Sequence, residues 1–220
     1  MQICVPIREI NRLNTLKKLQ KVPKEAGLVE VWLDRLNLND IKDIRKASKR
    51  PLIGVCRAKD EEGGFTGQEQ ERIKVLMAAA ETGFEYIDCG LNTESTLIKT
   101  LKTACVKSKT KLIISKHFWK KTPSLEDLLK TANKAKNLGA DIIKIAAQVN
   151  NWSDNTVLFE LIRVLKEKKI LAIATGMGEK GKISRIGCPL LGSFLTYVAL
   201  DEKSKTAPGQ LTLAEFNMYI

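Results

Sequence analysis

The chain has 220 residues, 44% hydrophobic and 28% charged, enough for one large domain or two small ones around a real core. Its apolar runs fall far short of the ~20 residues of a membrane helix, and the opening MQICVPIREI reads as a strand rather than a signal peptide, so a cytoplasmic location is expected. The formal net charge of +12 is scattered over predicted helices such as NTLKKLQKVPKE and LIRVLKEKKI, interleaved with Glu and Asp; a solvated outer face is expected, with neither nucleic acid nor membrane as partner.

In chain order, QICVPI, LVEVWL and PLIGVCR predict the first three strands, and TGQEQERIKVLMAAAETG predicts an amphipathic helix after them. YIDCGL and KLIISKH are the fourth and fifth strands. In SLEDLLKTANKAKNLGA, Ser124 can cap a helix, Glu126 and Asp127 favour its positive end, and Gly139 ends it. DIIKIAAQ, ILAIATG and SFLTYVAL complete eight strands, and LTLAEFNMYI predicts a short last helix. Strands alternating with helices at roughly 25–35 residues per unit describe a single-domain (β/α)8 TIM barrel over residues 1–220. The competing doubly wound sheet would carry a dinucleotide fingerprint after strand one, and PIREIN has none.

Five cysteines, Cys4, Cys56, Cys89, Cys105 and Cys188, are widely spaced and lack a Cys-x-x-Cys pair. Buried reduced thiols are expected, and no metal site.

A barrel constrains its polar residues. Alternate side chains along each strand point inward, and chemistry gathers at the strand C-terminal ends. The inward sets are then Glu30, Trp32 and Asp34; Ile53, Val55 and Arg57; Ile113, Ser115 and His117; and Ile142, Lys144 and Ala146, with Lys116 facing away.

Lys144, embedded in ADIIKIAA, is the strongest candidate. An unpaired ammonium is costly there. Either a carboxylate pairs it, or burial and a nearby cation lower its pKa and leave a free amine able to form a Schiff base. His117, the one histidine, ends the neighbouring strand, where an imidazole with a pKa of ~6.5 can shuttle protons. After strand three, RAKDEEGG places Arg57 at the strand end and Glu62 before a glycine pair that turns the loop back over the mouth. TGMGEKGKISR brings Arg185, which can hold a carboxylate by a two-pronged contact, and KTAPGQL has the look of a lid.

Taken together, SKHFWKKTPS, GADIIKIA, MGEKGKISRI, LTY and TAPGQLT resemble the type I 3-dehydroquinate dehydratases, the Schiff-base class, and LVEVWLD and CRAKDEEGG fit that family's earlier motifs. The likeness runs in order from ICVPI to APGQL. It implies a (β/α)8 barrel that converts 3-dehydroquinate to 3-dehydroshikimate in the shikimate route to aromatic amino acids, with no metal and no cofactor. By that resemblance Lys144 forms the iminium, His117 moves the protons and Glu62 orients the histidine. Arg185, Thr206 and Gln210 belong to the carboxylate grip and the lid, and Glu30 and Arg57 bind ring hydroxyls. Relatives are often homodimers, so a homodimer is open to this chain.

The chain departs from the family pattern at several positions. Trp32 stands where the family carries arginine, with Arg35 one residue beyond Asp34; Phe118 follows the histidine in place of Asp or Asn. The loop before Gly63 is one residue longer, Gly90 occupies a position often acidic, and Thr206 replaces a common serine. Two other readings remain open from the residues alone: a Schiff-base lyase of aldolase type, and a non-catalytic barrel that binds an acidic partner.

Overall fold

Each apolar run with period-two alternation forms a strand, because one face meets the helices and the other meets the opposite side of a ring. The computed structural model describes residues 1–220 apart from the side chain of Asp60. The strands are β1 (Ile3–Ile7), β2 (Leu28–Trp32), β3 (Leu52–Val55), β4 (Tyr86–Gly90), β5 (Lys111–Phe118), β6 (Ile142–Gln148), β7 (Ala172–Met177) and β8 (Thr196–Ala199). Paired in parallel, they run in the order β7-β6-β5-β4-β3-β2-β1-β8, with a two-residue β9 (Leu211–Thr212) added on β8.

The ring closes between β7 and β8, where the Phe194 amide donates to the Ala172 carbonyl at 2.7 Å. Its interior confirms the closure. Cys4, Leu28, Ile53, Ile113, Ile142, Ile173, Leu195 and Tyr197 pack in one cluster, although they come from opposite ends of the strand order. The barrel expected from the alternation of strands and helices is therefore the observed fold.

The outward faces of the same strands carry a second, larger core under the helices. Val29 and Val31, Ile143, Ile145 and Ala147 belong to it, beside Ile41 and Ile44 of α2 (Leu38–Ala47) and Leu158 and Leu161 of α6 (Asp154–Glu167). The other helices are α1 (Arg12–Lys21), α3 (Glu69–Glu81), α4 (Ser95–Lys107), α5 (Leu125–Asn137), α7 (Lys182–Leu191) and α8 (Leu213–Asn217). At the start of α5 the Ser124 hydroxyl accepts from the Asp127 amide at 3.2 Å, and Gly139 follows its end at φ +92°. All five cysteines are free and buried, and among the described residues no helix is long and apolar enough to cross a membrane.

One element differs from expectation. LTLAEFNMYI opens as β9, and the helix begins only at Leu213. Thr212 explains the break: its hydroxyl accepts from the Glu215 amide at 3.1 Å while the Glu215 carboxylate accepts from the Thr212 amide at 2.7 Å, a reciprocal cap that starts the helix there.

Ile113 is fully buried in the ring interior, under the polar layer. Ile113→Ala is expected to destabilise the fold by about 2–5 kcal/mol, measured as a lowered urea midpoint with an unchanged slope.

Candidate active site

The pleat of β6 sorts its residues into two sets. Ile143, Ile145 and Ala147 go to the helices; Ile142 fills the floor of the ring, Lys144 stands one layer higher, and Ala146 leaves room at the mouth. β5 repeats this with Ile113, Ser115 and His117, in a register that sets Ser115 beside Lys144 and His117 beside Ala146. Lys116 faces away and donates to Asn92 Oδ1 at 2.7 Å. Lys144 and His117 thus line one cavity, together with Glu30, Trp32, Arg57, Glu62, Arg185, Thr206 and Gln210. Every residue given a catalytic or substrate-binding role from the sequence lines that space.

Lys144 is only 7% exposed, and Nζ donates to Asp88 Oδ2 at 2.8 Å and to Glu30 Oε2 at 3.0 Å. It also lies 4.3 Å above the Tyr197 ring. Of the two readings of Lys144, carboxylate pairing is the one observed, and the lowered pKa is corrected. Burial pulls the ammonium down, but Asp88 and then Glu30 outweigh it and the neighbouring Arg57, leaving the pKa above the usual lysine value. The resting amine is charged.

Asp88 is the functional candidate that the sequence reading passed over. It lies between Ile87 and Cys89, and the alternation that points it inward also points Tyr86 and Gly90 there. Arg57 Nη2 donates to its two oxygens at 3.2 and 3.3 Å and to Ser115 Oγ at 3.1 Å, and Ser115 Oγ donates to Asp88 at 2.5 Å. Burial alone would raise this carboxyl; Lys144 and Arg57 reverse that and hold it well below the usual carboxylate range.

His117 sits half-buried and stacks on Trp119, centroids 5.1 Å apart with the planes 14° from parallel. Burial first, then the Arg57 and Lys144 cations, push its pKa well below the usual value, so the imidazole is neutral. Glu62 takes a left-handed φ of +61°, its carbonyl accepts from Arg8, and its side chain lines the cavity. Among the described residues its carboxylate makes no hydrogen bond to His117. The next residue must be glycine, since a Cβ on Gly63 would lie 1.9 Å from the Arg57 carbonyl.

Asp34 leaves the ring. Its carboxylate accepts from the Arg57 amide at 2.7 Å and the Gly64 amide at 2.8 Å, pinning this loop to the end of β2. Trp32 donates from Nε1 to Glu30 Oε1 at 3.2 Å, and the Arg8 guanidinium covers its ring at 4.4 Å.

Arg185 contrasts with Lys144. It is 2% exposed, Nη2 reaches the Pro208 carbonyl at 3.3 Å, and Nε has no partner. No carboxylate among the described residues pairs with it, and burial pushes its pKa down to about 10. Pro208 belongs to the segment that closes the mouth. The Gly178 amide donates to the Pro208 carbonyl at 3.1 Å, and Gln210 Oε1 accepts from the Thr206 amide at 2.7 Å and its hydroxyl at 3.2 Å. Gly209, at φ +72°, presses so close that a Cβ would stand 2.0 Å from the Gly178 carbonyl. Tyr197 adds a buried hydroxyl without a hydrogen-bond partner among the described residues, beside the same space. Its signal was the period-two register of β8, which sends Leu195 and Tyr197 inward together.

The depressed carboxyl of Asp88 links this site to stability. Its contribution is present above the unfolded value of about 3.9 and is lost as the pH falls through the lower folded value. Asp88→Asn is expected to lower stability at pH 7 by about 3–5 kcal/mol and to flatten the loss of stability in acid, read from urea unfolding between pH 7 and pH 3.

Comparison with known proteins places this geometry. The family model described as type I 3-dehydroquinase matches residues 3–220. The chain is 36% identical over 211 residues to a 3-dehydroquinate dehydratase of Methanocaldococcus jannaschii, covering 96% of this chain and 94% of that one. It is 38% identical over 194 residues to the chloroplastic bifunctional 3-dehydroquinate dehydratase/shikimate dehydrogenase of Arabidopsis thaliana; the match covers 86% of this chain but only 32% of the plant protein. Among solved structures, the 3-dehydroquinate dehydratase of Geobacillus kaustophilus superposes with a TM-score of 0.92 at 24% identity, covering 99% of this chain and 89% of that one, a likeness of fold. The type I enzyme of Clostridium difficile, solved with covalently modified comenic acid, superposes with a TM-score of 0.89 at 27% identity, covering 99% and 90%. The chain belongs to the type I 3-dehydroquinase family.

Proposed function

We propose that this type I 3-dehydroquinase removes water from 3-dehydroquinate through an imine on Lys144, with His117 as the proton carrier. One observation carries the reading: a lone buried lysine, gripped by two carboxylates, shares a cavity with a neutral histidine.

The chemistry follows from where charge is stabilised. Asp88 and Glu30 favour a positive nitrogen at the Lys144 position, whether ammonium or iminium. The resting ammonium must first lose a proton, and the neutral imidazole of His117 is the base at hand. The free amine then adds to the ring ketone, the imidazolium returns its proton to the hydroxyl of the adduct, and that hydroxyl leaves as water, giving a protonated imine between the carboxylates and a neutral His117 again. That cation withdraws electrons from the adjacent carbon. His117 takes the proton there, the electron pair moves into an enamine, and the imidazolium returns the proton to the departing hydroxyl, which leaves as water. Hydrolysis of the remaining iminium releases the product and restores the amine.

The other groups hold the ring. Arg185, a buried cation without a counter-ion among the described residues, suits the substrate carboxylate, which would relieve the cost of leaving it unpaired. Glu30 and Arg57 face the ring hydroxyls, Glu62 is placed to steady the imidazolium, and Thr206 and Gln210 hold the lid above. The aldolase-type alternative and the acidic-partner alternative gain no specific observation from this arrangement.

The test is enone formation from 3-dehydroquinate, followed by ultraviolet absorbance. Lys144→Ala is expected to abolish turnover, and His117→Ala to lower kcat by about 10²–10⁴-fold with little change in KM. Full activity in either variant would refute the assignment.

A further inference from the structure

Gly90 ends β4 two residues beyond Asp88, so it lies on the same inward face at the mouth of the ring. That place is occupied. A Cβ on Gly90 would stand 2.6 Å from Glu61 Oε1 and 3.1 Å from Oε2. The Glu61 carboxylate arrives from the 3-10 turn Lys59–Glu61, on the loop that follows β3.

In that position Glu61 faces Arg57. Its Oε2 is 3.8 Å from Arg57 Nη1, while Nη2 is tied to Asp88 and Ser115 on the other edge. The guanidinium is thus set from two sides, by strand residues at hydrogen-bond distance and by a loop carboxylate acting through charge. At 3.8 Å the Glu61 contact is a field rather than a tether. The adjacent Glu62 turns through a left-handed φ and makes no ion pair with Arg57, so the two glutamates divide their tasks.

We propose that Glu61 is a positioning residue for Arg57, seated in the space that Gly90 leaves open, and that Gly90 and Glu61 work as one unit in shaping the hydroxyl-binding wall. The inference rests on the reading of Arg57 as a residue that binds ring hydroxyls. It makes the length of the β3 loop and the absence of a side chain at position 90 mutually dependent: an acid delivered from the loop has room only because the strand offers none.

Steady-state kinetics with 3-dehydroquinate test it, using Glu61→Gln, Glu61→Asp, Gly90→Ala, the Glu61→Gln/Gly90→Ala pair and Arg57→Lys. Glu61→Gln is expected to raise KM about fivefold with kcat held within about twofold and the melting temperature unmoved. Glu61→Asp, which keeps the charge, should recover part of that loss. Gly90→Ala expels the carboxylate, so it should raise KM at least as much, and adding Glu61→Gln to it should change little more. An unchanged KM in Glu61→Gln, or effects that simply multiply in the double variant, would overturn the proposal. Should Gly90→Ala fail to fold, the comparison of Glu61→Gln with Glu61→Asp decides alone. A KM indifferent to Arg57→Lys removes the reading of Arg57 and this inference with it. A KM that responds to Arg57→Lys but not to Glu61→Gln removes the inference only.

Discussion

The site depends on a positive nitrogen held out of water between two carboxylates. Lys144 reaches Asp88 and Glu30 from three different strands, and only a closed ring lets β2, β4 and β6 point at one spot. An ammonium in such surroundings is tolerated because its counter-charges are fixed beside it. The same two carboxylates that keep the amine protonated at rest would favour an iminium in its place, since both are cations of similar size. Under the proposed mechanism Lys144 is a poor nucleophile until a base relieves it, and His117, kept neutral by burial and the neighbouring cations, would supply that base.

Charge is laid out unevenly across the cavity. Near the floor every cation is matched: Lys144 by Asp88 and Glu30, Arg57 by Asp88 with Ser115 bridging them. At the mouth Arg185 has no matching carboxylate among the described residues, and its Nε lacks even a neutral acceptor among them. In the proposed reaction a ligand with a carboxylate at one end and a ketone at the other would meet the guanidinium and the paired amine in a single orientation. The backbone at Gly209 is pressed onto Gly178 at the same mouth.

Much of this was legible in the sequence because period-two alternation is a local property. Once LVEVWL, KLIISKH and DIIKIAAQ are strands, Glu30, His117 and Lys144 must share the inward set, and the ring does the rest. What failed was anything set by distance across the ring. The choice between a paired and a neutral Lys144 could not be made, because Asp88 comes from a strand 56 positions away, inside an apolar run that gave no hint of chemistry. Glu61 and Glu62 are adjacent in the chain, and only the left-handed turn at Glu62 separates their directions. Thr212 broke the last helix through a cap that the apolar pattern of LTLAEF concealed.

The most direct test of the central account is chemical capture. Borohydride added to enzyme turning over 3-dehydroquinate should reduce the imine and leave one substrate-derived mass on the protein, carried by the peptide containing Lys144. His117→Ala should give the same adduct far more slowly, because the amine and its carboxylates remain while the base that frees the amine is gone. An adduct on another lysine, or none under conditions of active turnover, would contradict the account.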